Sequence, residues 1–267
     1  MSLTRIYAVF IRQIFLFKGN PVRLVAVFLW IFIDIILWGF ISKYLSTFGA
    51  ATFSFVNAVL GAIILWDFLG RIQQGVMTAF LEDIWSQNFI NFFTSPLKIK
   101  EYVVGLVATS LATGLVGFLA MAVLAGLAFG YNVFKIGLII LPFMLILFIF
   151  AVAMGIFMTA IILRFGPSAE WLGWPIPFAM SVFAGVFYPI STLPGALQIL
   201  SKIIPASYVF ESLRGLGGTT LNLNLLTNFF VGFILAVFYL VIMYIFLIMI
   251  YRRNLKNGQL SRFSAES

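Results

Sequence analysis

The stretch from Gly185 to Gly215 reads GVFYPISTLPGALQILSKIIPASYVFESLRG, apolar enough for lipid yet interrupted by Pro189, Pro194 and Pro205. Each proline lacks a backbone donor and clashes with the preceding helical turn. In hydrocarbon a broken backbone survives only where protein or a wet cavity covers it. The pattern predicts a helix ending at the outer surface, followed by short helical pieces that dip back toward the bilayer. Such pieces usually flank a pathway.

The remainder of the chain sets the class. Of its 267 residues, 63% are hydrophobic and 9% are charged, with a mean hydropathy of +1.14. An ordinary soluble domain carries roughly 25% charged residues. No soluble core of this size hides so much apolar surface, and the apolar runs have the length of helices rather than of barrel strands. The chain therefore reads as an all-helical integral membrane protein. Cysteine and histidine are absent, which excludes a disulfide framework, thiolate or imidazole metal sites and histidine-dependent catalysis. The net charge of +8 sits at the ends of spans, where topology places it, and not in a nucleic-acid patch.

Residues 1–19 do not read as a signal peptide, because Arg5, Arg12 and Lys18 interrupt the apolar residues and no cleavage site follows. Leu3, Ile6, Tyr7, Phe10, Ile14 and Phe17 recur at helical spacing, with Arg5 and Arg12 on another face. This predicts an N-terminal amphipathic helix lying in the headgroup region. Six transmembrane helices are predicted after it: Leu24–Ile41, Phe53–Leu69, Tyr102–Phe129, Ile136–Leu163, Trp171–Tyr188 and Leu226–Tyr251. The broken, re-entrant outer segment, 189–217, lies before the last of them.

Lysine and arginine set the orientation. With the amino terminus inside, Arg5, Arg12, Lys18, Arg23, Arg71, Lys98, Lys100, Arg164, Arg252, Arg253, Lys256 and Arg262 lie inside, against Lys43, Lys135, Lys202 and Arg214 outside. Both termini are expected on the cytoplasmic side of a cytoplasmic (inner) membrane. No internal repeat or soluble domain is evident, so residues 1–267 read as one membrane domain.

The longest inner connection, 70–100, carries Glu82, Asp83, Trp85, Asn88, Phe89, Phe92, Phe93 and Pro96. It is too polar for lipid and too apolar for a flexible tail. Its aromatic residues either pack on the chain's own helices or dock a cytoplasmic partner. Its ending, Thr94-Ser95-Pro96-Leu97, and the acidic Glu82 upstream are similar to the coupling loop of type-2 ABC exporter permeases. The outer stretch resembles the same family. Its YP-x-x-x-LP turn (Tyr188, Pro189, Leu193, Pro194), its later Pro205 and its E-x-x-R pair (Glu211, Arg214) match the region before the last span. The entry to the first span, FKGNPVRLVAVFLW, departs from the signature of the polysaccharide-exporting members and keeps only Trp30 of it.

The resemblance implies a permease subunit that pairs with a second copy, as a homodimer, or with a paralogue, and docks cytoplasmic ABC ATPase subunits. No G-x-x-x-x-G-K-[ST] phosphate loop occurs in the sequence, so no cofactor is expected in this chain. ATP and Mg²⁺ would be bound by the partner ATPase. The resemblance also implies alternating access, a coupling role for the 70–100 loop and an outer gate at Tyr188, Pro189, Pro194, Pro205, Glu211 and Arg214. The cargo would be an amphiphile: a lipid, a drug-like molecule or a lipid-linked glycan.

Asp34 is an acid near the middle of a predicted span, and Trp30, Asp34 and Trp38 are spaced four apart on one helix face. A charge there must face protein or water. The trio either lines the pathway or holds two helices together. Asp67 with Arg71, and Glu211 with Arg214, have the spacing of helical ion pairs. Two other functions stay open at this point: an ATP-independent channel or secondary transporter using Asp34, and a membrane scaffold without transport.

Overall fold

A computed structural model describes residues 1–19, 21–47, 53–86, 88, 92, 95–216 and 225–257, and among them every regular element is helical. The N-terminal helix α1, Leu3–Gly19, exposes Leu3, Tyr7, Phe15 and Leu16 and buries Val9 and Gln13. Helix α2, Pro21–Thr47, is unbroken over 27 residues, about 40 Å at the helical rise.

Helix α3, Phe53–Trp85, runs for 33 residues. The chain stays helical from Gly70 through Trp85, so the first half of the 70–100 connection continues α3. Arg71, Gln73 and Gln74 end the apolar run without ending the helix. Ile72, Val76, Ala79, Phe80 and Ile84 beyond them are buried, so packing on neighbouring helices holds the extension in place.

Helix α4, Ile99–Phe129, returns antiparallel to α3 and stops at Gly130, which adopts φ +67°. Gly130 N–H donates to the Gly126 carbonyl (3.0 Å), the single bond of a left-handed helix cap, and Tyr131 N–H reaches the Ala125 carbonyl (3.2 Å). A Cβ on Gly105 of α4 would lie 2.6 Å from the Val9 Cβ, and one on Gly117 would lie 2.6 Å from the Arg71 Cδ. Lipid supplies no hydrophobic force between helices, so close approach over small residues is the main attraction. At these two points α1 and α3 press directly on the α4 backbone.

A 3-10 segment, Val133–Ile139, turns the chain into helix α5, Ile140–Phe165. Helix α5 is the most enclosed of the helices, with Ile146, Leu147, Phe150, Ala151, Met158 and Ile162 fully buried between α3 and the last helix, α9, Leu225–Lys256. Near the carboxyl end of α9, Asn254 Nδ2 donates to the Leu163 carbonyl at 2.6 Å.

The predicted single span Trp171–Tyr188 is corrected. It divides into a 3-10 segment, Pro167–Gly173, and helix α6, Pro175–Phe183. Pro175 and Pro177 remove two backbone donors, and the chain bends at Trp174. After α6 come a 3-10 turn, Ile190–Thr192, helix α7, Gly195–Ile203, and helix α8, Pro205–Leu216. Among the described residues, three helices are long and apolar enough to cross a membrane: Ile99–Phe129, Gly137–Phe165 and Leu225–Lys256.

Candidate functional site

Three polar clusters stand out in this apolar fold. The first fastens α1 to the ends of α3 and α4. Arg12 Nη1 donates to Asp83 Oδ1 at 2.5 Å, and the Tyr102 hydroxyl donates to Asp83 Oδ2 at 2.6 Å. The Arg12 guanidinium also sits over the Phe92 ring, 4.9 Å from its centroid, and Phe92 leans on Tyr102 with ring centroids 5.5 Å apart. Two helical turns away on the same face of α1, Arg5 donates to the Pro96 carbonyl (2.5 Å) and reaches Glu101 (3.4 Å). Glu101 further accepts the backbone N–H groups of Ser2 (2.7 Å) and Lys98 (3.1 Å).

Burial pushes the Asp83 carboxyl above its ordinary value, against the Tyr102 hydroxyl and the Arg12 guanidinium, which hold it down. A buried acid of this kind persists through its partners. Removing one partner typically costs about 3–5 kcal/mol, whereas an exposed pair contributes about 0–1 kcal/mol.

The expected coupling residues divide on this frame. Glu82 and Asp83 lie in the last turns of α3, Asn88 follows it, and Phe92 packs against the core. Trp85 is 54% exposed, and Pro96 is exposed too. Phe89 and Phe93 lie outside the described residues. The readings for the aromatic residues thus separate by position: Phe92 packs on its own chain, and Trp85 offers a free surface.

The second cluster lies among α2, α3 and α4. Arg71 donates through Nε and Nη2 to both carboxylate oxygens of Asp67. The Trp30–Asp34–Trp38 face is intact as one helix, but its members meet different surroundings. Trp30 is exposed, Asp34 is half-buried, and Trp38 stacks on Phe187 with ring centroids 4.7 Å apart. Beside Arg71, a cavity of about 410 Å³ opens between α1, α2, α3 and α4. Phe17, Phe28 and Val116 give it apolar walls, and Arg71, Gln74 and Thr113 give it polar ones.

The third cluster closes the outer stretch. Glu211 Oε1 accepts the Ile190 N–H at 2.8 Å and Arg214 Nη1 at 2.8 Å. Arg214 Nη2 donates to the carbonyls of Gly185 and Val186, where Gly185 takes φ +64°. The Tyr188 hydroxyl donates to the Val182 carbonyl at 2.7 Å. Pro189, Pro194 and Pro205 mark the starts of the 3-10 turn, α7 and α8. The Glu211–Arg214 pair therefore does more than bridge one turn of α8: it fastens α8 to the turn that follows α6.

Sequence reasoning passed over Arg5, Arg12, Glu101 and Tyr102 as site residues, along with the backbone groups of Gly185 and Ile190. One signal was available. Two cations seven apart share a helix face, and two acids flank the following connection.

No curated protein matches the chain. A family model described as ABC-2 type transporter matches residues 4–216, from the first turn of α1 to the end of α8, and so takes in all three clusters. The chain belongs to the ABC-2 type transporter family and is a permease of that family.

Proposed function

We propose that this permease is the membrane-spanning half of an ATP-driven exporter of amphiphilic cargo. Two such chains pair and are powered by separate cytoplasmic ATPase subunits that bind ATP and Mg²⁺. The family match over residues 4–216 carries the reading. In it, α2, α3, α4, α5, the bent segment 167–183 and α9 are the six spans. Helix α1 rests in the inner headgroup layer, and both termini are cytoplasmic.

The geometry supports a division of labour. Trp85 and Pro96 present the docking surface to the ATPase. Any push on that surface reaches α3 through Asp83 and α4 through Glu101, because Arg12 and Arg5 tie both to α1. The cavity beside Arg71 admits a molecule that is part apolar and part polar, as its lining requires. The Glu211–Arg214 closure is the outer gate, and opening it means breaking the bonds to Ile190, Gly185 and Val186. ATP binding must favour the open state by its differential affinity for the two states.

The test is gentle purification of the tagged protein from its native membrane, with identification of what accompanies it. A stoichiometric ATP-binding subunit that is lost in Trp85→Ala, with the variant still folded, supports the reading. A folded protein that arrives repeatedly without an ATPase refutes it and favours ion coupling through Asp34.

A further inference from the structure

Helix α9 carries a stripe that lies outside all three polar clusters. At 3.6 residues per turn, Ile234, Phe238, Ile245, Met249, Arg252 and Lys256 fall on one face, with Arg253 beside it. Leu247, Ile250 and Asn254 lie on the opposite face and are buried. The stripe is therefore the outward face of a helix long and apolar enough to cross a membrane. Ile234, Phe238, Ile245 and Met249 are each more than half exposed. They span about 22 Å of the axis at 1.5 Å per residue, more than half of a hydrocarbon core of about 30 Å. One turn beyond Met249 the stripe becomes cationic.

An open groove of about 470 Å³ joins the two parts of the stripe, with Ile245, Ile248 and Met249 on its apolar side and Arg252, Arg253 and Lys256 on its basic side. All three cations are exposed. Among the described residues no carboxylate pairs with them, and the ion pairs there engage Arg5, Arg12, Arg71 and Arg214. Asn254, held to the Leu163 carbonyl at 2.6 Å, fixes this last turn against α5, so the cations project from an anchored helix end and not a fraying one. Topology alone asks for cations at the end of a span. It does not ask that they continue the lipid-facing stripe. Like charges without an acid favour an anion, and an apolar stripe leading into them favours acyl chains. A phospholipid supplies both in one molecule, and the guanidinium forks match its phosphate. A zwitterionic headgroup brings its own cation beside three others, whereas phosphatidylglycerol brings a phosphate and no cation. A soluble acidic protein or a nucleic acid would meet the basic end and leave the apolar stripe unused.

We propose that the end of α9 is a binding site for an anionic phospholipid, with the phosphate on Arg252 and Lys256 and an acyl chain along Ile245 and Met249. The inference goes beyond the exporter reading and rests on it only for the leaflet, which is the inner one where both termini are cytoplasmic.

The experiment is native mass spectrometry of the full chain in detergent, titrated with phosphatidylglycerol and with phosphatidylcholine of the same acyl chains. A saturable phosphatidylglycerol adduct, at least about tenfold tighter than phosphatidylcholine, is expected from cations grouped at a membrane surface. Arg252→Gln/Lys256→Gln should reduce that preference severalfold and melt as the wild type does, since neither side chain has a protein bond to lose. Lys98→Gln/Lys100→Gln removes the same charge from exposed residues elsewhere and should keep the preference. The proposal is overturned if there is no preference, if the preference survives the α9 variant, or if both variants lose it equally. Photo-cross-linking on the wild type depends on no variant. Phosphatidylglycerol with a diazirine on its acyl chain should label α9 between residues 234 and 249 above the other spans, and even labelling of all spans contradicts the site. An adduct present on the isolated chain but absent from the complex purified from native membrane would also overturn the proposal and assign this face to an acidic protein partner. None of these readouts requires ATP or cargo, so failure of the exporter reading would show separately, as a missing ATPase on purification.

Discussion

Glu211 accepts the backbone N–H of Ile190, 21 residues earlier in the chain, at 2.8 Å, and the same carboxylate oxygen accepts from Arg214. One acid thus orients the arginine that holds the Gly185 and Val186 carbonyls, and three backbone groups of a proline-broken segment are satisfied by one side-chain pair. That is the covering a non-helical backbone needs near lipid.

Glu211→Gln keeps an acceptor for the Ile190 N–H and loses the charge on Arg214, whereas Glu211→Ala loses both. The alanine variant should melt lower than the glutamine variant. The pair is partly exposed, so the loss should be about 1–2 kcal/mol and not the larger figure of a buried pair. Thermal unfolding in nanodiscs gives the order, and equal melting of the two variants would show that the Ile190 bond contributes nothing.

Arg12→Ala leaves the Asp83 carboxylate buried with only Tyr102 beside it. The expected cost is about 3–5 kcal/mol, with increased hydrogen exchange across α1. The double variant Arg12→Ala/Asp83→Asn should recover much of that loss, because the uncompensated charge is gone. A double variant no better than Arg12→Ala alone would mean that the Arg12 contact with Phe92 carries the stability.

Gly105→Leu drives a side chain into Val9, with the Ile6 carbonyl 3.3 Å from the new Cβ. Overpacking of this kind costs about 1–3 kcal/mol, and α1 should yield before the spans do. Faster proteolysis of α1 with the remainder of the chain protected is the expected result. Uniform protection would show that α1 does not seat on α4 in the membrane.

Asp34→Asn removes the charge from the half-buried acid of α2 while keeping the side chain's shape. If Asp34 faces the pathway, transport should fall severalfold with melting unchanged. Full transport with a lowered melting temperature would make Asp34 a structural contact between helices.

Local features of this fold were legible in the sequence, and those that join distant segments were not. The spacings of Asp67 with Arg71 and of Glu211 with Arg214 gave ion pairs that the structure contains. Gly166-Pro167 ends α5, with Gly166 at φ +96°, and Pro189, Pro194 and Pro205 each begin a new piece. The extension of α3 to Trp85 was missed because hydropathy reports where lipid ends, and a helix can continue past that point on the packing of Ile72, Val76 and Phe80. The break at Trp174 was missed because the apolar run continues through Pro175 and Pro177, and length alone suggested a span. The Arg12–Asp83 pair joins residues 71 apart, and only tertiary packing brings them together. The close approaches on α4 at Gly105 and Gly117 were not legible either, because each needs a partner from a distant segment, Val9 for one and Arg71 for the other.

The central claim is that this permease is driven by a separate ATPase docked beside Trp85. Its most direct test is the composition of the complex purified from native membrane, wild type against Trp85→Ala. The account predicts a stoichiometric ATP-binding subunit with the wild type and its loss from a variant that melts as the wild type does. A wild-type protein that is folded, dimeric and consistently without an ATPase would contradict it.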